Sequence, residues 1–166
     1  MNPATSIAGE APSSTLRPLT ASLSRLVPLS REEQAAVESL PHEVRSVAGG
    51  TILVEASRVE THCHVLLDAF AHKEKFFGDL RRVVAINLPG ELVNIESALA
   101  MASDYEATVF RAGQIAIIPA AAVRELLFSF PSLGRAFWLR NQAEGATYRE
   151  WLLNDQRPTS RRGSRI

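Results

Sequence analysis

The fold is decided around Leu88-Pro89-Gly90-Glu91-Leu92, where a predicted strand over residues 82–87 runs into a proline–glycine turn. A second predicted strand covers residues 73–77, and Gly78-Asp79 between the two strands favours a hairpin turn. Further turns recur along the chain at a spacing of roughly 8 to 12 residues, which is typical of an all-β sandwich or barrel. The other predicted strands are residues 51–54, 64–67, 105–110 and 114–118.

Helices are predicted on both sides of this β region. Ser30-Arg31-Glu32-Glu33 is a capping box, in which the serine hydroxyl and the last glutamate each satisfy a backbone amide at the start of a helix over residues 34–40. After the strands, Pro119 and Pro131 each precede a helical pattern, because proline is tolerated in the first turn of a helix. The second pattern runs as far as Trp151.

The last helical pattern, over residues 135–154, carries two neighbouring apolar stripes with small residues at their middle. Small residues allow a second backbone to come close, and about 20 residues at 1.5 Å each give a rod of roughly 30 Å. A small barrel alone does not cover such a helix, so we expect it to form a dimer. The alternative is a helix folded back on its own barrel. The predicted interface consists of Trp138, Leu139, Ala143, Gly145, Ala146, Tyr148 and Leu152.

Composition limits the class of protein. The chain has 166 residues, enough for one domain plus tails, and its 18 basic and 18 acidic residues balance. Dedicated nucleic-acid binders are usually more basic. A single cysteine, Cys63, excludes an intrachain disulfide and suits the reducing cytoplasm, where we expect the protein to be located. We expect no membrane span and no secretory signal, because no apolar run reaches about 18 residues.

Several short motifs, each weak alone, occur in a specific order. They are Gly49-Gly50, Val65-Leu66-Leu67-Asp68-Ala69-Phe70, Arg81-Arg82, Leu88-Pro89-Gly90-Glu91-Leu92, Ile115-Ala116-Ile117-Ile118-Pro119, Phe130-Pro131-Ser132-Leu133 and Arg149-Glu150-Trp151-Leu152. With these motifs, residues 23–154 resemble the cyclic-nucleotide-binding-like sensor domain of Crp/Fnr transcription regulators. The resemblance implies a mainly β fold with flanking helices. It would be a double-stranded β-roll, or jelly roll, followed by a long C-terminal dimerisation helix, with a role in signal sensing and transcription regulation.

The resemblance gives a division of the chain into four parts. Residues 1–22, rich in Ala, Ser, Thr and Pro, are expected to be a flexible leader. Residues 23–134 would form the β-roll sensor domain and residues 135–154 the dimerisation helix. Residues 155–166 are expected to be a disordered basic tail.

The resemblance also implies a ligand site. In relatives that bind cyclic AMP, a cassette begins with Gly-Glu-Leu, whose Glu accepts a bond from the ribose, and ends in Arg-Ser or Arg-Thr, whose Arg holds the phosphate. Gly90-Glu91-Leu92 matches the beginning, but Ser103 and Asp104 stand at the Arg and Ser positions. An added anion near 4 Å repels the phosphate by about 4 kcal/mol at an effective dielectric of about 20. We therefore expect a degenerate cassette that does not bind cyclic nucleotide in the usual way.

Partners follow from the same resemblance. In relatives, a segment like Arg149-Glu150-Trp151-Leu152 leads into a helix-turn-helix module, whereas here only residues 155–166 follow. We expect this chain alone to have no specific DNA binding, since base readout needs a helix or ribbon in the major groove. The expected partners are a second copy of the chain, or full-length relatives, and a small-molecule effector. No cofactor is expected.

Two alternative functions stay open. The first is a small-molecule binding protein whose β-roll pocket still binds a ligand, and the expected ligand is then a cyclic nucleotide. The second is a cupin-like metalloprotein, because His62 and His64 share one face of a predicted strand and lie near Asp68. Against it, Val93-Asn94 stands where the second cupin motif needs a histidine, so no metal is expected.

The remaining cysteine and charged residues are expected to have structural rather than catalytic or metal-binding roles. One cysteine cannot hold an iron–sulfur cluster of the usual four-cysteine type, so we expect Cys63 to be a buried small side chain. The sequence has no nucleophile elbow, P-loop or dinucleotide fingerprint, and we expect no enzyme and no catalytic residues. The charged run His72-Lys73-Glu74-Lys75 is expected to lie on a solvated strand face.

Overall fold

The computed structural model describes residues 14–155, which form two antiparallel sheets flanked by helices. One sheet has the strand order β1-β7-β3 and the other has the order β2-β6-β4-β5. The strands are β1 (Glu43–Val47), β2 (Ile52–Val54), β3 (His62–Leu66), β4 (Phe70–Phe77), β5 (Leu80–Asn87), β6 (Glu106–Arg111) and β7 (Gly113–Pro119). The helices are α1 (Arg17–Ser24), α2 (Arg31–Glu38), a short 3₁₀ helix (Ile95–Leu99), α3 (Ala120–Ser129) and α4 (Pro131–Asp155). The predicted β-roll with flanking helices is confirmed.

The local turn and capping signals are confirmed. The β4–β5 hairpin pairs Phe77 with Leu80 around Gly78, which has a φ of 59°. Ser30 Oγ accepts a bond from the Glu33 amide, and the Glu33 carboxylate accepts one from the Ser30 amide at 2.7 Å. Both devices act between residues that are close in sequence, which is why the sequence predicts them.

Strand β1 was missed by the sequence analysis. Residues Glu43 to Ser46 are all exposed, so the strand lacks the buried alternate face that a period of two would reveal. It exists because it lies at the edge of its sheet and pairs along its whole length with β7, from Glu43 opposite Ile117 to Val47 opposite Gly113.

Two apolar clusters lie on opposite faces of the β1-β7-β3 sheet. On β3, Val65 packs with the helices whereas Leu66 packs with the second sheet, and both are fully buried. On β7, Ile118 packs with the helices and Ile115 packs with the second sheet. Successive side chains of a strand point to opposite faces, so a sheet covered on both sides reads as a continuous apolar run.

The prediction of a flexible leader is wrong for its last residues, since Arg17–Ser24 is helix α1. Leu16, Leu19 and Leu23 lie on one face of this helix and are buried in the helix-side core. Their spacing of three and four residues is a helical signal, but the surrounding Ala, Ser, Thr and Pro residues obscured it. Residues 1–13 lie outside the part of the chain that the structure describes.

Helix α1 packs on the turn that contains Gly90. The backbone there has a φ of +87°, which L-residues with a side chain rarely adopt. A Cβ atom on residue 90 would also lie 2.5 Å from the carbonyl oxygen of Pro18. The glycine is therefore required twice, by the conformation of the turn and by the close approach of α1.

We expect Gly90→Ala to lower the free energy of unfolding by about 3 kcal/mol, because it adds a contact with the backbone of Pro18 to the penalty for positive φ. Gly78→Ala is the matched control, since Gly78 also has positive φ but has open space where the Cβ would lie. The control should lose only about 1 kcal/mol. Urea denaturation of both variants measures the difference, and equal losses would show that α1 does not pack closely on this turn.

Candidate functional site

A cavity of about 420 Å³ lies between the β-roll, the segment after Gly90 and helix α4. It is open at one side and has the size of a small-molecule site. Its charged and polar lining includes Lys73, Lys75, Glu96, Asp104, Tyr105, Arg140, Glu144 and Tyr148. Apolar parts of the wall come from Val84, Leu92, Val93, Ile95 and Phe137.

Only some residues of the predicted cassette line this cavity. Leu92 and Asp104 line the cavity, whereas Gly90, Glu91 and Ser103 are not part of its lining. Asp104 is exposed and forms an ion pair with Lys75. Ser103 is buried, and its hydroxyl donates to Glu96 Oε1 at 2.5 Å. The structure thus fills the Arg and Ser positions of the cassette with groups that bond to the protein itself.

Glu91 is buried behind the cavity and fully engaged. Its side chain is 5% exposed, and one carboxylate oxygen forms an ion pair with Arg140 of α4. The other oxygen accepts bonds from Asn87 Nδ2 and from the Leu88 amide, both at 3.2 Å. A buried carboxylate needs such partners, because burial without them costs several kcal/mol.

A second ion pair joins α4 to the β-roll. Glu144 Oε1 accepts a bond of 2.8 Å from Lys73 Nζ, and Glu144 Oε2 accepts a bond of 3.4 Å from Asn87 Nδ2. The Lys73 ammonium also lies 4.5 Å from the centroid of the Tyr105 ring, within the range of a cation–π contact. Asn87 therefore links the two ion pairs into one buried polar network, which we call the α4 clamp (Lys73, Asn87, Glu91, Arg140 and Glu144).

The expectation that His72 to Lys75 form a solvated face is wrong for Lys73 and Glu74, which are both buried. Strand β4 is internal to its sheet, with β5 on one side and β6 on the other. Lys73 is compensated by Glu144, and Glu74 forms an ion pair with Arg81 and lies 2.8 Å from His72 Nε2. Buried charges persist when they are paired, and the partner from α4 lies 71 positions away in sequence.

Glu96 places a carboxylate in the cavity wall, and the sequence analysis did not select it. Its Oε1 lies 2.5 Å from the Tyr105 hydroxyl and accepts the bond from Ser103. Burial, followed by the charge of Glu96, raises the pKa of Tyr105 above its ordinary value, so the phenol stays protonated and remains a donor. The only sequence signal was the position of Glu96 shortly after Gly90-Glu91.

The residues of the cupin hypothesis do not converge. His62 is exposed, and Asp68 accepts a bond from the Gln114 amide. Burial lowers the pKa of His64, which favours its neutral form. Asn94 is fully buried and bonds to the backbone of His62 and His64, so it ties the segment after Gly90 to strand β3. Within residues 14–155, no group of three His, Cys, Asp or Glu side chains is placed to hold a metal ion.

Cys63 is fully buried, as expected for a small core side chain. Its thiol lies 3.6 Å from the carbonyl oxygen of Asn94, and burial raises its pKa to about 12. A thiol in this state is protonated at neutral pH and therefore a poor nucleophile or metal ligand.

The predicted dimer residues divide between two sides of α4. Gly145 and Tyr148 line the cavity, and Leu152 is partly buried, so these three face the β-roll. The first turns of α4 are anchored in the core by Leu133, Ala136 and Phe137, and Leu139 packs partly against that core. Trp138, Ala143 and Ala146 are exposed. The helix therefore folds on its own roll and still presents an outward face with Ala146 and Leu153, whereas Ala143 lines a groove between α4 and β5.

The chain is similar to solved structures of other proteins, although its sequence is not. No protein-family model and no curated protein sequence matches the chain. A cyclic nucleotide-binding domain from Methylobacillus flagellatus superimposes with a TM-score of 0.63 at 15% identity, over 81% of this chain and 79% of that one. The chain has the fold of a cyclic-nucleotide-binding domain. The Thermus thermophilus catabolite activator protein gives a TM-score of 0.62 at 17% identity, over 80% and 63% of the two chains.

The same fold recurs in a third neighbour, the regulatory domain of Toxoplasma gondii PKA with cAMP. The TM-score is 0.59 and the identity 14%, over 70% of this chain and 46% of that one. The chain thus spans less than two thirds of the Thermus and Toxoplasma structures. The Toxoplasma neighbour is a regulatory domain and the Thermus neighbour is an activator protein. Within the described residues, no helix is long and apolar enough to cross a membrane.

We expect Arg140→Met to lower the free energy of unfolding by about 2 kcal/mol, because it leaves the buried carboxylate of Glu91 without its cation. The double variant Arg140→Met with Glu91→Gln should recover most of that loss, since a neutral amide needs no counterion. A double-mutant cycle in urea measures the coupling between the two side chains. If the losses of the single variants simply add, the ion pair does not hold α4 on the β-roll.

Proposed function

We propose that the chain is a ligand-sensing regulatory domain of the Crp/Fnr type, in which a small molecule enters the cavity under α4 and α4 carries the effect to a partner chain. The observation that carries this proposal is the position of the cavity. One of its walls is the β-roll and another is α4, so a ligand in it touches both. The similarity of fold supports the proposal, since the structural neighbours include a catabolite activator protein and a regulatory domain with cAMP.

Cyclic nucleotide is not the effector that we propose. The groups that would hold a ribose and a cyclic phosphate are either engaged or replaced. Glu91 is held by Arg140 and Asn87, and the position of the phosphate-binding arginine is taken by the buried Ser103. The Ser103 hydroxyl donates to the carboxylate of Glu96, so an anion lies at the place where the arginine is expected. A carboxylate at that place opposes a bound phosphate by Coulomb repulsion.

The partner that we propose is a second copy of the chain or a full-length relative, bound through the outward face of α4. This face carries a small side chain at Ala146, which allows close approach, and an exposed Leu153, which contributes apolar area. We place this function in the cytoplasm, in transcription regulation. That this chain alone binds no specific DNA sequence stays a prediction.

The sensor function predicts that at least one compound in a panel of small metabolites raises the unfolding temperature, because a ligand that binds only the folded state stabilises it. Cyclic AMP and cyclic GMP should have no effect. Thermal unfolding followed by dye fluorescence provides the screen, and hydrogen exchange of residues 140–148 then tests whether the ligand acts on α4.

Titration calorimetry with cyclic AMP tests the expectation that the degenerate cassette does not bind cyclic nucleotide. A dissociation constant below about 10 μM, equivalent to about 7 kcal/mol of binding, would contradict our reading of Ser103 and Asp104. A panel in which no compound has an effect would contradict the sensor function itself.

We expect the protein to dimerise through the outward face of α4, and Ala146→Glu to make it monomeric by placing two carboxylates in the interface. Thr147→Glu is the matched control, because the next residue of a helix points about 100° away. It should leave the dimer intact. Light scattering with size exclusion gives the masses. A monomeric wild type, or an Ala146→Glu dimer of unchanged strength, would contradict this interface.

A further inference from the structure

The buried ammonium of Lys73 lies on the cavity wall and depends on another element for its counterion. Its side chain is 8% exposed, and the carboxylate that neutralises it, Glu144, comes from α4 and is 20% exposed. A lysine in such a place requires an anion, but the anion need not belong to the protein. Glu144 also lines the cavity, so its carboxylate stands where a ligand would reach Lys73.

A second group on the same wall has unused bonding capacity. Arg140 pairs with Glu91 through Nη2, yet its Nε is buried and has no hydrogen-bond partner. Asn87 bridges both carboxylates through Nδ2, which brings the Arg140 pair and the Lys73 pair together. A buried donor without an acceptor costs about 1 to 3 kcal/mol, so the hydrogen bonding of the Arg140 pair is incomplete.

The remaining lining restricts the charge and shape of the ligand. Tyr105, Phe137 and Tyr148 supply aromatic rings, and Leu92 and Val84 supply aliphatic surface. Glu96 is a carboxylate elsewhere on the lining and repels a second negative charge on the ligand, whereas Asp104 is paired with Lys75. The cavity therefore favours one anionic group at Lys73 and a neutral, largely apolar remainder.

We propose that the cavity binds an organic monoanion, a carboxylate with an aromatic or aliphatic body, whose carboxylate replaces Glu144 at Lys73. This inference rests on the proposed sensor function and names the chemical class of its effector. The exchange leaves Lys73 with one anion before and after, so no buried cation is left unpaired. Glu144, already the more exposed partner, turns to solvent.

The exchange has a consequence for α4. Two ion pairs of the α4 clamp hold this helix on the roll, through Arg140 and, one turn later, Glu144. When the ligand carboxylate pairs with Lys73, the Lys73–Glu144 ion pair is lost and the Glu91–Arg140 ion pair remains. The ligand thereby loosens α4 beyond residue 140 without releasing its anchored first turns, and it changes the helix face that is presented to a partner.

The test uses phenylacetate and hexanoate as probes, with phenylacetamide and hexanamide as neutral matches of the same shape. Saturation-transfer NMR and calorimetry measure binding to the full chain. We expect both carboxylates to bind the wild type and both amides to fail. Glu144→Gln removes the competing carboxylate and should tighten phenylacetate at least about tenfold. Glu125→Gln, the same change at an exposed position of α3, should leave the affinity unchanged.

A double variant isolates Lys73. Adding Lys73→Met to Glu144→Gln keeps the pair neutral, so folding is preserved, and it should abolish phenylacetate binding. In the wild type, phenylacetate should also speed hydrogen exchange of residues 140–148. The inference is overturned if the amides bind as tightly as the carboxylates, if Glu144→Gln does not tighten binding, or if the double variant still binds.

These outcomes separate the inference from the function on which it rests. If the metabolite panel yields only neutral or cationic ligands and the two carboxylates do not bind, the sensor function stands and the proposed effector class is wrong. If neither the panel nor the probes bind, both fail. The comparison of carboxylate with amide in the wild type needs no variant, so a folding defect in a variant cannot remove the test.

Discussion

The buried carboxylate of Glu91 is the constraint on which the arrangement of this molecule depends. It ties the turn after β5 to α4 through Arg140, and Asn87 extends the same network to Glu144 and Lys73. On the other side of that turn, Gly90 allows α1 to approach closely. The β-roll, α1 and α4 therefore meet at one short turn. The position of α4 thus depends on a buried carboxylate at this turn, and the close packing of α1 depends on the glycine beside it.

We propose that the fold of a cyclic-nucleotide-binding domain is combined here with different chemistry in its cavity. The acidic residue of the cassette is retained at Glu91, but it serves as an internal counterion for Arg140. Ser103 stands where the resemblance predicts a cation, and the cations that line the cavity come from β4, as Lys73 and Lys75, and from α4, as Arg140 and Arg149. A shared fold positions a cavity between a roll and a helix, whereas the side chains that line the cavity decide which ligand it takes.

Part of the site was predictable from the sequence. The turn at Gly90 follows from a short motif, as does the expectation that Ser103 stands in place of an arginine, whereas the pairing of Glu91 with Arg140 does not. Lys73 was not predictable, because a charged residue in an alternating strand is typical of a solvated face, and here α4 supplies its partner. Helix α1 was missed for a related reason, since three leucines in a background of small polar residues reveal a helix only once a core exists to receive them.

The sequence by itself determined the local devices and the fold class: the capping box, the hairpin at Gly78, the proline-initiated helices and the alternation that makes a β-roll. Each acts over a few residues, so its signal is contained in a short window. Only the tertiary structure decided which charges meet. Lys73 and Glu144 are separated by 71 positions, and Asn87 and Glu144 by 57. Such pairs are selected by the packing of α4 on the roll, and the free energy of a buried charge depends on that packing rather than on its neighbours in sequence.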